Sequence, residues 1–138
     1  MFVMRMKLIT RDTDYAINAL YFIAENKDRF YTVTELVERL NIPRAFLRKI
    51  LQILNRKGIV KSFRGKGGGF RLNISPEKIF LMEIMDIFQG KFRLNECILN
   101  KKVCPRVETC TLKKKLDEIE KFVRTELKSI NIGTLLNQ

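Results

Sequence analysis

The sequence predicts a mainly α-helical fold with one small β-hairpin, and three observations point to it. Phe46, Leu47, Ile50, Leu51 and Leu54 recur at spacings of three and four, which makes one apolar helical face. Residues 59–63 (IVKSF) and 70–74 (FRLNI) are β-type runs on either side of Arg64-Gly-Lys-Gly-Gly-Gly69, and such a pair reads as a hairpin with a basic, glycine-rich tip. A last periodic run, Leu112, Leu116, Ile119, Val123, Leu127 and Ile130, spans about five turns of helix.

Taken in order, the opening Met1-Phe-Val-Met-Arg-Met6 is too short for a signal peptide, and Met6 is an alternative start. Residues 10–26 predict a first helix with Ala16, Ile17, Leu20, Ile23 and Ala24 as its face. Asp12 and Asp14 stand in its opening turns, where the helix dipole favours acids. Thr32-Val-Thr-Glu35 reads as a capping box for a second helix through Leu40, with Val33, Leu36, Val37 and Leu40 inward. Asn41 is the expected cap of a third helix with Pro43 in its first turn, and Gly58 is its expected left-handed terminator. Ser75 and Pro76 open a fourth helix expected to run to Gln89 and stop at Gly90, with Ile79, Met82, Ile84, Met85, Ile87 and Phe88 as core. Residues 91–110 lack periodicity and hold all three cysteines. A long helix is then expected over residues 111–132, and no signal is read after Gly133.

Helix, helix, tight turn, helix and hairpin is the order of a winged helix-turn-helix, with the third helix in the recognition position and the hairpin as wing. Net charge is +12, which calls for a polyanionic partner. Between Asn41 and Pro76 stand nine basic residues and no acid, although the chain has 15 acids. A charged helical face is usually only solvated, but an acid-free stretch of this length points to double-stranded DNA. Arg44, Arg48, Lys49 and Gln52 would reach from the helix into a major groove, and Arg64, Lys66 and Arg71 would supply the wing's charge. The glycine run lies in a hairpin, not between a strand and a helix, which argues against a nucleotide cradle. No histidine base, paired carboxylates or nucleotide motif accompanies the cysteines, so the chain does not read as an enzyme.

Cys97-x6-Cys104-x5-Cys110 places three thiols within 14 positions. Thiolate suits iron–sulfur clusters and zinc, although the spacing is not the CxxC of common zinc sites. Bystander cysteines or a redox-active thiol pair fit the spacing as well. With no histidine in the chain, a fourth ligand has to be a carboxylate, another heteroatom or a non-protein thiol. An odd cysteine count without an export signal speaks against a disulfide framework and for a cytoplasmic protein. No apolar run approaches a membrane span.

Met6-Lys-Leu-Ile-Thr10 with Asp14-Tyr-Ala-Ile, Leu54-x-x-x-Gly58-Ile-Val60, the wing Arg64-Gly-x-Gly-Gly-Gly-Phe70 and the three-cysteine segment before a long helix together resemble the IscR/NsrR/CymR-type family of dimeric winged helix-turn-helix transcriptional regulators. The resemblance covers nearly the whole chain from Met6. It implies a [2Fe-2S] or [4Fe-4S] cluster on Cys97, Cys104 and Cys110, with Asp14 as the candidate fourth ligand, reaching across the dimer. The position of a ligating histidine in some members is Lys113 here. The first cysteine gap is one residue longer than the family's usual five, and Arg48 replaces an acidic residue of the recognition helix, so operator preference need not match.

The expected protein is thus one domain: residues 6–90 bind DNA, 91–110 form the cysteine loop and 111–132 form a dimerisation helix. It is expected to be a homodimeric regulator, without a membrane partner, whose DNA affinity is set by an iron–sulfur cluster acting as a redox sensor. The alternatives are a cluster-free regulator controlled by a partner protein, and a zinc-stabilised nucleic-acid-binding protein.

Overall fold

The computed structural model describes residues 7–94 and 109–138. Among them the order is α1 (Arg11–Glu25), α2 (Val33–Leu40), α3 (Arg44–Arg56), the hairpin strands β1 (Val60–Phe63) and β2 (Gly69–Leu72), a 3-10 turn (Pro76–Lys78), α4 (Leu81–Gln89), α5 (Thr111–Lys128) and α6 (Ile132–Leu136). This is the mainly helical, winged architecture that the sequence predicts.

The main core is built on α1. Ala16, Ala19, Leu20 and Ile23 are fully buried against Leu36 of α2 and Leu47, Leu51 and Leu54 of α3. Each such leucine contributes roughly 1.5–3 kcal/mol of burial. The side chain of Thr32 accepts from the Glu35 amide at 3.1 Å, as a capping residue should. Glu35 does not complete a reciprocal box, because its carboxylate pairs with Arg29.

Asn41 departs from expectation. It ends α2 in the left-handed region (φ +54°), its N–H bonded to the Val37 carbonyl at 2.9 Å, and Pro43 takes the N-cap of α3. Asparagine tolerates both roles, and in the three-residue connection from Leu40 to Arg44 it takes the helix-ending one. At the other end, Gly58 (φ +75°) donates to Asn55 and Ile59 to Leu54, both at 3.0 Å. This double bond pattern is the Schellman motif that glycine permits.

β1 and β2 are antiparallel, from Val60↔Leu72 at the base to Phe63↔Gly69 near the tip. Tyr31 adds a one-residue third strand through two 2.8 Å bonds with Phe70. The glycines have a packing reason here. A Cβ on Gly69 would lie 2.3 Å from the Tyr31 carbonyl oxygen, and one on Gly68 2.3 Å from that of Phe63.

The fourth helix is not continuous. The chain turns through Pro76–Lys78, extends at Ile79 and Phe80, and only then enters α4. The extended pair is held by the C-terminal segment: Leu81 donates to Ile130 at 3.0 Å and Ile132 to Ile79 at 2.9 Å. Ser75 does not cap; its hydroxyl donates to Glu77 at 2.6 Å, which holds that carboxyl below its ordinary pKa. The helix expected over 111–132 likewise ends at Lys128. After Ser129 and Ile130, Asn131 and Thr134 form a reciprocal capping box for α6, whose Leu135 and Leu136 join the main core.

Candidate nucleic-acid interface

On α3, Arg44, Arg48 and Gln52 follow at intervals of four and therefore share one face, with Lys49 beside them. All four are exposed. Arg44 is partly engaged, donating to the Thr34 hydroxyl of α2 at 3.0 Å. Arg64 and Lys66 are exposed at the tip of the hairpin. Arg71 is half-buried on β2, its guanidinium 4.8 Å from the centre of the Phe30 ring. It is thus less free than the tip cations.

Helix and hairpin meet in an open cleft of about 280 Å3 lined by Gln52, Asn55, Ser62, Phe63, Arg64 and Phe70. Asn55 accepts the Ser62 amide at 3.2 Å, so the wing is fastened to α3 next to Gln52. Sequence reading missed Asn55, because an asparagine near a helix end has no periodic signal of its own. It also missed Arg11, whose guanidinium stacks 4.5 Å from the Phe46 ring centre. Phe46, expected in the apolar face, is 38% exposed and stands at the edge of the core.

None of the nine basic residues between Asn41 and Pro76 forms an ion pair with a carboxylate; the pairs among the described residues lie elsewhere. Unneutralised cations on one surface are what phosphate contacts require.

Of the cysteines, Cys97 and Cys104 lie outside the described residues. Cys110 is a partly exposed free thiol at the N-cap of α5. Leu94, the last described residue before the cysteine segment, donates from its amide to Glu120 of α5 at 3.1 Å. Glu120 also pairs with Arg124, which donates to the Phe92 carbonyl at 2.5 Å. The described residues on either side of the segment, Leu94 and Cys110, therefore both stand at α5. Asp14 is exposed in the first turn of α1, and Lys113 is ion-paired with Asp117 at 2.7 Å. The described residues bring together no group of three metal-ligating side chains.

The family model for Rrf2, described as an iron-dependent transcriptional regulator, matches residues 9–138. The chain belongs to the Rrf2 family. Among its Rrf2-type relatives is the HTH-type transcriptional regulator NsrR of Bacillus subtilis, 35% identical over 115 residues, which are 82% of this chain and 78% of NsrR. Two solved structures share the fold. T. potens IscR has a TM-score of 0.75 at 21% identity, over 97% of this chain and 88% of that one. CymR, the global cysteine regulator of B. subtilis, has a TM-score of 0.76 at 21% identity, over 96% and 98%. This Rrf2 protein is a transcriptional regulator on a DNA-binding winged-helix fold, and relatives such as NsrR are named as regulators, not enzymes. Among the described residues no helix is long and apolar enough to cross a membrane.

Proposed function

We propose that two copies of this chain pair through α5 and read a pseudo-palindromic duplex. Each α3 enters a major groove and each wing lies against phosphates or the neighbouring minor groove. Arg48, Lys49 and Gln52 reach base edges, Arg44 and Arg71 act from braced positions, and Arg64 and Lys66 meet the backbone. The nine cations between Asn41 and Pro76, none with a carboxylate partner among the described residues, carry this reading.

Pairing through α5 is supported by how its apolar residues divide. Leu127 is buried on its own domain, with Val123 and Ile130 packed there. Leu112 (67% exposed), Ile119 (50%) and Phe122 (68%) are left open along the helix. Spaced at seven and three, they form a seam that a second copy covers isologously.

Cys97, Cys104 and Cys110 would hold an iron–sulfur cluster, [2Fe-2S] or [4Fe-4S], with Asp14 of the other copy as fourth ligand. The three-thiol donor set suits such a cluster, and the family's description names iron. Lys113, held by Asp117, is no competitor for the metal. When bound, a cluster supplies a redox-responsive charged centre. This chain's part is to fix both ends of the cysteine segment on α5, through Glu120 and the N-cap at Cys110, so that the segment's state bears on the dimer helix. The test is oxygen-free purification, analysis for iron, sulfide and zinc with visible absorption, then DNA titration of iron-bearing and iron-free protein. Iron with a changed DNA affinity supports the reading. Stoichiometric zinc without iron replaces it with a zinc-stabilised protein. Metal-free protein that binds DNA fully leaves control to a partner protein.

A further inference from the structure

We infer that Gln89, which belongs to neither α3 nor the wing, is a positioning residue for DNA recognition. The inference rests on the reading that α3 enters the groove.

Gln89 is the last residue of α4. Its carboxamide pairs with main chain as a peptide unit in a β ladder would. Oε1 accepts from the Thr10 amide at 3.0 Å, and Nε2 donates to the Leu8 carbonyl at 3.0 Å. The same Oε1 accepts from the hydroxyl of Thr13 at 2.7 Å, a side chain with no exposure at all. Between the two backbone bonds, Ile9 packs on the cluster of Met82, Met85 and Phe92. The start of α1 is therefore tied by three bonds to one side chain 76 to 81 residues further along.

The other side of that same turn holds α3. Arg11 lies over the Phe46 ring at 4.5 Å, and the Tyr15 ring centre is 6.5 Å from it. Phe46 is two residues before Arg48 and stands at the edge of the core, 38% exposed. The N-terminal turn of α3 thus meets the first turn of α1 through these two contacts, beside the buried Leu47 that packs further along α1. A recognition constellation works only when held within roughly 0.5 Å. A shift of α1's first turn thus costs base contacts but leaves the general attraction to phosphate. Three residues after Gln89, Arg124 holds the Phe92 carbonyl, so Gln89 joins the α4–α5 junction to the recognition helix.

The test uses the full chain with two duplexes, one selected by the wild-type protein from random-sequence DNA and one random, titrated at several salt concentrations. Gln89→Met removes all three bonds with little change in length. It should lower affinity for the selected duplex about tenfold, the scale of one lost base contact, with random-duplex affinity and salt slope unchanged. Gln89→Glu keeps an acceptor for Thr10 and Thr13 and should stay within about threefold of wild type. The losses from Gln89→Met and Phe46→Leu should not add, since both cut one path. Hydrogen exchange on the same proteins should quicken at residues 8–15 and 44–48 and nowhere else. Equal loss on both duplexes, a reduced salt slope, additive losses, or faster exchange through all helices would overturn the inference. If the wild type does not distinguish the two duplexes, the reading of α3 fails instead, and exchange at 44–48 alone decides the role of Gln89.

Discussion

Asn55 and Ser62 fasten the wing to the recognition helix: the Asn55 carboxamide oxygen accepts the Ser62 amide at 3.2 Å across seven residues. Both residues are exposed, so the bond competes with water and contributes about 1 kcal/mol at most. Asn55→Ala should leave the melting temperature nearly unchanged while the Ser62 amide exchanges faster and DNA binding weakens. An unchanged Ser62 exchange rate would show that the strand pairing alone holds the wing.

Base reading and phosphate binding should separate by residue. Gln52→Ala or Arg48→Ala should change sequence preference, each lost base contact costing about 1–3 kcal/mol. Lys66→Ala should weaken binding to every sequence and lower the salt slope by about one. Fluorescence titrations on selected and random duplexes measure both. Equal losses on the two duplexes for Gln52→Ala would remove it from the reading set.

The winged architecture was legible because its determinants are local. The spacing of Leu47, Ile50, Leu51 and Leu54, the Thr32 cap, the Gly58 stop and the glycine tip each act within a few residues. What escaped depends on distant partners. Nothing near Ile79 says that its carbonyl will accept from Ile132, so helical periodicity ran straight through the break. Asn41 carries a real signal, but one that fits either end of a helix. At the candidate site the residue types were legible and their bracing was not. That Arg71 stacks on Phe30, and Arg44 leans on Thr34, is decided by chain segments 41 and 10 residues away.

The two sides of α5 should respond differently to charge. Ile119→Asp and Phe122→Asp fall on the open seam and should yield monomers with unchanged helical circular dichroism. Val123→Asp falls half-buried against Leu81, Met82 and Met85 and should destabilise the fold itself, since a charge there displaces apolar packing. Sedimentation beside circular dichroism reads both. Dimers surviving Phe122→Asp and Ile119→Asp would place the pairing surface elsewhere.

Each of Cys97→Ser, Cys104→Ser and Cys110→Ser should abolish a brown, iron-containing form, because the chain has no spare sulfur ligand of this type. Asp14→Ala should leave iron bound but more labile, with a shifted absorption spectrum. Among the described residues the Asp14 carboxylate is exposed and Asn18 reaches only the backbone carbonyl of Asp14, so loss of the carboxylate should hardly move the melting temperature of the iron-free protein. Iron retained without change in Asp14→Ala would exclude it as a ligand.

Ile132 and the pair Leu135 and Leu136 close on a core whose centre is α1, and the main-chain clasp at Ile79 waits for the same segment. During synthesis, α1 to α4 emerge from the ribosome with that flank uncovered, and they stay so until residue 136 is clear of the exit tunnel. The nascent chain thus carries an unfinished apolar surface through most of its translation, a window in which chaperones and like chains can bind it. Early release between Arg56 and Ile132 would leave a product that has its recognition helix but no closed interior, and quality-control proteases would see it as unfolded.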